Sequence, residues 1–352
     1  MARRKTSVSA APTSLPRNPP ARILVIRRDN IGDLVCTTPL LAALRQQLPT
    51  AHIASLVTRY NEAVLAGNPD IDALYSYVKA KHRRSDESVL AIYGRRLGTI
   101  LELRRQKFDW VLLPGGKQSS SLRFARWIGG HKLLVRDDQD RVAGPHEVQQ
   151  TCHLLVRMGL EYRTPATRVR VAADNQSKLK DELAAGRMLA AGPLIGLHIS
   201  ARKPSQRWPA EHFNALAQRL HESRGAKFLL LWAPGRQDDP RHPGDDEKAA
   251  AILAAAGGLP MLPVPTLHLQ ALIAALSLCD QIICGDGGAM HLAAGLGKPI
   301  VAMFGQSAPE RWRPWGVPHV VLQKPSLSVA DIGVDEVIAA YRRLDAGMEP
   351  IT

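Results

Sequence analysis

Short apolar runs alternate with longer helix-prone stretches along the first half of this 352-residue chain. Continuous runs of Ile, Leu and Val are typical of strands that are buried on both faces of a parallel sheet. We predict such strands at 22–27, 52–57, 71–78, 109–113 and 133–135. We predict helices between them at 33–48, 86–106 and 146–159. This alternation indicates a parallel sheet with helices on both of its faces.

A second series of the same kind begins after Ala191-Gly192-Pro193. We predict its strands at 194–199, 227–232, 282–283 and 299–304, and its helices at 209–223, 245–256, 267–278 and 334–344. Two series of similar size indicate two α/β domains. The expected limits are a disordered basic tail at 1–21, an N-terminal domain at 22–175, a C-terminal domain at 176–330 and a closing segment at 331–352. We expect the helix in that segment to return toward the N-terminal domain.

The overall composition indicates a globular protein of the cytoplasm. Hydrophobic residues make up 45% of the chain and charged residues 22%. No apolar run reaches the ~18 residues of a membrane span, and the N-terminus lacks the continuous apolar segment of a secretory signal. The four cysteines form no CxxC pair, so we expect reduced core thiols and no zinc site.

The net charge of +14 favours an anionic partner such as nucleic acid, acidic lipid or a phosphorylated substrate. Basic residues are concentrated between 79 and 107, where apolar residues recur at helical spacing and predict one buried face. These apolar residues are Val89, Tyr93, Leu97, Ile100 and Leu101. Arginines such as Arg95 and Arg105 would lie on the opposite face, where an ordinary solvated charge is the alternative to a binding role.

The most informative local pattern is Asp286-Gly287-Gly288, which follows a predicted strand and precedes an Ala/Leu-rich helix. Glycines at a strand-to-helix turn let the backbone approach a ligand closely, because they carry no Cβ. The helix start behind them offers unpaired N–H groups and a partial positive charge. This arrangement predicts a phosphate site, and hence a nucleotide-linked substrate.

Four motifs occur in order along the chain. They are Ile26-Arg27-Arg28-Asp29-Asn30-Ile31-Gly32-Asp33-Leu34-Val35 followed by Thr38-Pro39, then His146-Glu147, then Arg207-Trp208-Pro209, and finally Asp286-x-Gly288-x-x-His291-Leu292-Ala293-Ala294 followed by Gly297-Lys298-Pro299. Together they resemble glycosyltransferase family 9, the lipopolysaccharide heptosyltransferases, over about residues 22–345. The resemblance implies the GT-B fold, in which two Rossmann-like domains with parallel sheets face each other across a cleft. It also implies inverting transfer of heptose from ADP-heptose to the lipopolysaccharide inner core, without an essential metal or another cofactor.

The same resemblance implies roles for individual residues. Asp33 matches the base that takes a proton from the acceptor hydroxyl, and a plain helix-capping role is the alternative. Arg207 matches the cation at the diphosphate of the sugar donor, with Lys203 as a second candidate and a surface charge as the alternative. Gly287 and Gly288 would donate backbone N–H groups to the same diphosphate.

Three further residues are assigned to the sugar-donor side. Asp286 would accept hydrogen bonds from a sugar hydroxyl or from neighbouring N–H groups, because its charge repels a diphosphate. His291 would donate to phosphate or ribose, with a structural role as the alternative. Gly235 matches a position in the family's strand-end loop near the nucleoside.

The implied partners are a nucleotide-sugar donor and an anionic glycolipid acceptor at the cytoplasmic face of the inner membrane, where the protein would be peripheral. The basic helix around Arg95 and Arg105 suits such an acceptor. Two alternatives stay open, namely a nucleotide-sugar epimerase on the same two-domain plan and a non-catalytic binder of an anionic polymer. The chain has no repeated aromatic-basic motif that favours nucleic acid, and no GxGxxG after the first strand that would indicate a dehydrogenase.

Overall fold

A computed structural model describes residues 19–78, 88–137, 144–186, 188, 191–239 and 243–347. Most of the expected basic tail at 1–21, and the basic residues between 79 and 87, lie outside these ranges. Within them the chain forms two parallel sheets whose faces are covered by helices. The prediction of two successive α/β units is confirmed.

Five parallel strands form the first sheet in the order β3-β2-β1-β4-β5. They are β1 (Arg22–Ile26), β2 (His52–Thr58), β3 (Ala73–Tyr77), β4 (Trp110–Leu113) and β5 (Lys132–Val135). The central strand β1 is buried, and its Leu24 pairs with Ala54 of β2 and Val111 of β4. Because parallel strands end at the same edge of a sheet, the loops that follow them lie side by side.

The helices of the first unit are α1 (Ile31–Val35), α2 (Thr38–Gln47), α3 (Val89–Arg105), α4 (Ser119–Ile128), α5 (Glu147–Cys152) and α6 (Leu154–Arg157), and α7 (Ala173–Ala185) leads to the second unit. The helix predicted at 33–48 is therefore two helices, separated at Cys36 and Thr37. Pro39 explains the break. It lacks an N–H, and in a continuous helix its ring would clash with the carbonyl of Val35.

Six parallel strands form the second sheet in the order β11-β10-β9-β6-β7-β8. They are β6 (Leu194–His198), β7 (Lys227–Trp232), β8 (Met261–Pro265), β9 (Gln281–Gly285), β10 (Ile300–Phe304) and β11 (His319–Gln323). The helices of this unit are α8 (Ala210–Arg224), α9 (Asp246–Ala255), α10 (Leu269–Leu278), α11 (Gly288–Gly295), α12 (Pro309–Trp312) and α13 (Val334–Asp345). Both edge strands, β8 and β11, were absent from the sequence prediction.

Helix α13 packs on the second unit, so the expectation that it returns toward the N-terminal domain is wrong. Its buried residues Ile338 and Tyr341 join the core that contains Phe213 of α8. An ion pair of 2.8 Å joins Arg224 of α8 to Asp345 at the end of α13. The apolar face of α13 is satisfied by its own domain, because α8 and the adjoining strands cover it.

Helix α3 buries a different face from the one predicted. Ile92, Ile100 and Leu103 point into the core, whereas Tyr93 and Leu97 are exposed, as is Leu101. Apolar residues occupy an arc of this helix that is wider than the face that meets the sheet, so spacing alone could not decide which of them are buried. The prediction of a buried face is therefore correct for Ile100 and wrong for the three exposed side chains.

Among the described residues, no helix is long and apolar enough to cross a bilayer. In the same ranges no group of three or more His, Cys, Asp or Glu side chains could hold a metal ion. All four cysteines are buried and free, as the sequence predicted. Burial raises the pKa of Cys279 to about 12, so this thiol stays protonated at neutral pH.

Candidate active site

The carboxyl edges of the two sheets meet where α1 contacts α11. Helix α1 follows β1, helix α11 follows β9, and both strands lie inside their sheets. The helices pack so closely that a Cβ on Gly32 would lie 2.5 Å from Cδ2 of His291. A Cβ on Gly288 would lie 3.3 Å from Cβ of Ile31. Glycine at both positions therefore permits direct contact between the two units.

A cleft of about 400 Å³ opens beside this contact, and residues of both units line it. The predicted site residues in its lining are Asp33, Lys203, Asp286, Gly287, Gly288 and His291. The structure thus brings the carboxylate of the first unit and the glycine turn of the second into one cleft.

Asp33 is the third residue of α1, and its carboxylate is held at both oxygens. Oδ1 accepts a hydrogen bond of 2.7 Å from Nη2 of Arg27. Oδ2 accepts from the backbone N–H and the side-chain amide of Asn30, at 3.2 and 3.0 Å. Through these bonds to Asn30, Asp33 takes part in capping its helix, which was the alternative to a role as the base. The side chain also stays 15% exposed and lines the cleft, so capping leaves it available for chemistry.

Arg27 is a buried guanidinium surrounded by carboxylates. It forms ion pairs with Asp29 at 2.9 Å, with Asp33 at 2.7 Å and with Glu147 at 2.8 Å. Burial alone would lower the pKa of Arg27, but these three carboxylates outweigh it and raise the pKa above its ordinary value. Arg27 is thus a fixed positive charge that orients Asp33.

Glu147 lies at the start of α5 and is fully buried. Its Oε1 accepts from Arg27 at 2.8 Å and from Arg136 at 2.5 Å, and its Oε2 accepts from Arg311 at 2.9 Å. Burial would raise the pKa of Glu147, but Arg27 and Arg136 lower it to about 2. Because Arg311 belongs to α12, this carboxylate joins the second unit to the arginine that holds Asp33. The motif His146-Glu147 marked the position in the sequence, but nothing there revealed the burial.

The start of α11 presents backbone N–H groups to the cleft. The first-turn N–H groups of a helix have no intrahelical partners, and no described side chain caps this helix, so these donors are available to a ligand. A Cβ at Gly287 would meet no described atom within 4 Å, which leaves open space on this side of the turn. This geometry fits the phosphate site predicted from the sequence.

Asp286 accepts a hydrogen bond of 3.1 Å from the side-chain amide of Gln206. Gln206 also lies 3.3 Å from the hydroxyl of Ser307, so three loops of the second unit meet at this point. An N–H partner of this kind was expected for Asp286. Gln206 itself was not predicted.

His291 is almost completely buried between the two units. Its Nδ1 lies 3.7 Å from Sγ of Cys36, and its ring meets the edge of Trp312 with 6.0 Å between ring centres. Burial lowers the pKa of His291, which favours the neutral ring. Burial and these contacts are what a structural role for His291 requires. His291 also contributes to the cleft lining.

The sequence profile of glycosyltransferase family 9 (heptosyltransferase) matches residues 100–331. The chain belongs to this family. Lipopolysaccharide heptosyltransferase 3 of Escherichia coli is 23% identical over 303 residues, which are 81% of this chain and 83% of that relative. A family 9 glycosyltransferase of Veillonella parvula has a TM-score of 0.76 at 22% identity, and the match covers 93% of this chain and 97% of that one. Escherichia coli ADP-heptose lipopolysaccharide heptosyltransferase II has a TM-score of 0.72 at 20% identity, with 93% and 99% covered.

The two solved structures confirm the predicted GT-B fold. Membership of family 9 shows that the protein is a glycosyltransferase. Not every predicted site residue of this family 9 enzyme lines the cleft. Arg207 is half-buried outside the lining, and its Nε donates to the carbonyl of Ala201 at 3.2 Å. Gly235 lies in the turn after β7, with a φ of 127° and its N–H bonded to Asp246. Arg95 and Arg105 are exposed on α3, outside the cleft lining.

Other residues line the cleft of this glycosyltransferase without having been predicted. They are Tyr60, His198, Ser200, Arg202, Gln206 and Ser307. His198 ends β6 and Ser200 follows it, so their position at a strand end was the available signal. Trp312 both packs on His291 and lines the cleft.

Proposed function

We propose that this family 9 glycosyltransferase moves heptose from ADP-heptose to the inner core of lipopolysaccharide, with inversion and without a metal. The observation that carries the proposal is the cleft, where Asp33 of the N-terminal domain (22–175) and the start of α11 in the C-terminal domain (176–330) line the same space. The Escherichia coli enzyme that shares the fold is named for ADP-heptose, which supports this choice of sugar donor.

Asp33 would act as the general base. Arg27 and Asn30 hold its two oxygens and fix the direction of the carboxylate. A carboxylate placed in this way can take the proton of an acceptor hydroxyl while that oxygen attacks the anomeric carbon. The bond from the sugar to the diphosphate then breaks on the opposite face, which inverts the anomeric centre.

The departing diphosphate would be stabilised by the N–H groups of Gly287 and Gly288, by Lys203 at the cleft wall, and by Arg207. Arg207 would first have to exchange its bond to a backbone carbonyl for a phosphate oxygen. Three other residues would contact the rest of the sugar donor. Asp286 with its amide partner suits a sugar hydroxyl, whereas His291 and Gly235 are assigned to the nucleotide.

We also propose an anionic glycolipid acceptor that the enzyme reaches from the cytoplasmic face of the inner membrane, as a peripheral protein. The net charge of +14 supports an anionic partner of this kind. Arg95 and Arg105 lie on the same domain as the proposed base and are assigned to the acceptor side.

A panel of nucleotide sugars tests the proposal. Purified protein is incubated with ADP-, UDP- and GDP-sugars, and thermal protection is measured together with products formed in the presence and absence of heptose-deficient lipopolysaccharide. We expect selective protection by ADP-heptose and transfer only when the acceptor is present. Conversion of the sugar donor without acceptor would favour the epimerase instead, and protection by none of the sugars would contradict the proposal.

A further inference from the structure

Helix α3 carries an exposed apolar stripe formed by Leu90, Tyr93, Leu97 and Leu101. These side chains are 83%, 51%, 56% and 44% exposed. Their spacing of three, four and four residues places them on one face of the helix, beside the face that is buried. A contiguous run of large apolar side chains on a surface indicates a binding site rather than chance.

Arginines surround this stripe. Helices α3 and α4 together contain six arginines and one acidic residue, Glu102. Arg104 continues the stripe and reaches the carbonyl of Trp127 on α4, whose own ring is 49% exposed. Arg123 and Arg126 are exposed on α4. The surface, which we call the α3–α4 face, thus combines apolar side chains with a strongly positive border.

The α3–α4 face is connected to the segment between β1 and the end of α1, which carries the proposed base. The guanidinium of Arg96 lies over Tyr93 at 4.9 Å and over Tyr77 at 5.3 Å from the ring centres. Arg28 lies over Tyr77 at 5.0 Å from the ring centre, and only Asp29 and Asn30 separate it from α1, which carries Asp33. A continuous series of stacked side chains therefore runs from Tyr93 of the stripe to Arg28, next to the segment that carries Asp33.

We propose that the α3–α4 face docks the N-terminal domain on the surface of an anionic lipid bilayer, a proposal that rests on the proposed membrane-bound acceptor for its purpose. Apolar side chains on one face of a helix enter the boundary between headgroups and acyl chains, and Tyr and Trp favour that boundary. The bordering arginines are drawn to acidic headgroups. A second copy of the chain fits less well, because a symmetric contact would bring two arginine-rich surfaces together.

Vesicle binding tests the proposal directly. The protein is sedimented with vesicles of phosphatidylcholine alone, and with vesicles that also contain phosphatidylglycerol. We expect binding to the anionic vesicles and weaker binding as salt rises. In the double variant Leu97→Gln/Leu101→Gln we expect affinity to fall roughly tenfold or more, because two apolar side chains no longer enter the lipid. The matched control is Leu267→Gln, which alters an equally apolar side chain that is 82% exposed on the other domain and should bind as the wild type does.

Two further measurements separate this proposal from the proposed function. The exposed leucines should be replaceable without a change in unfolding midpoint or in transfer to a water-soluble acceptor fragment, while transfer to acceptor embedded in vesicles falls. If the protein transfers no heptose at all, vesicle binding still decides the docking proposal. Equal vesicle binding by the wild type and the double variant would overturn it. So would a wild-type dimer in sedimentation that the double variant loses, combined with no vesicle binding.

Discussion

Replacing Glu147 with glutamine should destabilise the first domain far more than a surface change would. The carboxylate is fully buried and contacts three guanidinium groups at 2.5 to 2.9 Å. Its pKa falls from 4.5 to about 2, which corresponds to about 3 kcal/mol of stabilisation of the charged form. Removing one partner of a buried ion pair typically costs about 3–5 kcal/mol. Both routes therefore predict a loss of about 3 kcal/mol, from the ~5–15 kcal/mol of a typical domain.

The measurement is the free energy of unfolding from urea titration, fitted for the transition of the domain that carries Glu147. Its dependence on pH supplies a second readout. The folded pKa is depressed, so this stabilisation is fully present above about pH 4.5 and is lost as the pH falls toward about 2. Glu147→Gln should lack that part of the acid dependence. The control is Glu310→Gln on exposed α12. A Glu147→Gln variant within about 0.5 kcal/mol of the wild type, with an unchanged acid response, would refute the reasoning.

Three other changes follow from the same geometry. Gly32→Ala places a Cβ 2.5 Å from the ring of His291, so we expect the free energy of unfolding in urea to fall by about 1–3 kcal/mol and thermal protection by the sugar donor to weaken. The control is Gly98→Ala, whose Cβ meets no described atom within 4 Å and should change neither quantity. Gly287→Ser meets no described atom at the start of α11, so the free energy of unfolding should stay within about 0.5 kcal/mol of the wild type, and a larger loss would contradict the open space assigned there. Burial lowers the pKa of His146 to about 4, so the free energy of unfolding should decline as the pH falls from 6.5 to about 4. His146→Asn should flatten that decline, by at most about 1.4 kcal/mol per pH unit.

The interior strands could be predicted from sequence because burial on both faces demands continuous apolar runs. The edge strands β8 and β11 of the second sheet could not, although the edge strands β3 and β5 of the first sheet were predicted. In β8, Pro263 and Pro265 interrupt the run, and proline is tolerated there because an edge strand has no neighbour on one side. The buried face of α3 was also predicted wrongly, because it too depends on the neighbouring sheet. The apolar arc of that helix is wider than the face that packs on the sheet, so only the sheet determines that Leu103 is buried while Leu97 is exposed.

The two sides of the cleft could be predicted because each depends on a local motif at a strand end. Asp33 and Gly288 lie in one cleft because β1 and β9 are interior strands whose carboxyl ends face each other. Long-range side-chain contacts gave no such signal. A glutamate is rarely buried, and the three arginines that make burial possible for Glu147 are spread along the chain from residue 27 to residue 311. Arg207 shows the opposite case, since its motif is present but its side chain bonds elsewhere.

The most direct test of the account is the Asp33→Asn variant, measured for both heptose transfer and binding of ADP-heptose. Asparagine keeps an oxygen for the helix cap but cannot take a proton, and general-base catalysis contributes about 10²–10⁴-fold. We expect transfer to fall by that amount while the affinity for ADP-heptose stays within about threefold. Asp29→Asn removes a different carboxylate from Arg27 and should retain most activity. Wild-type turnover by Asp33→Asn would contradict the assignment of Asp33 as the base.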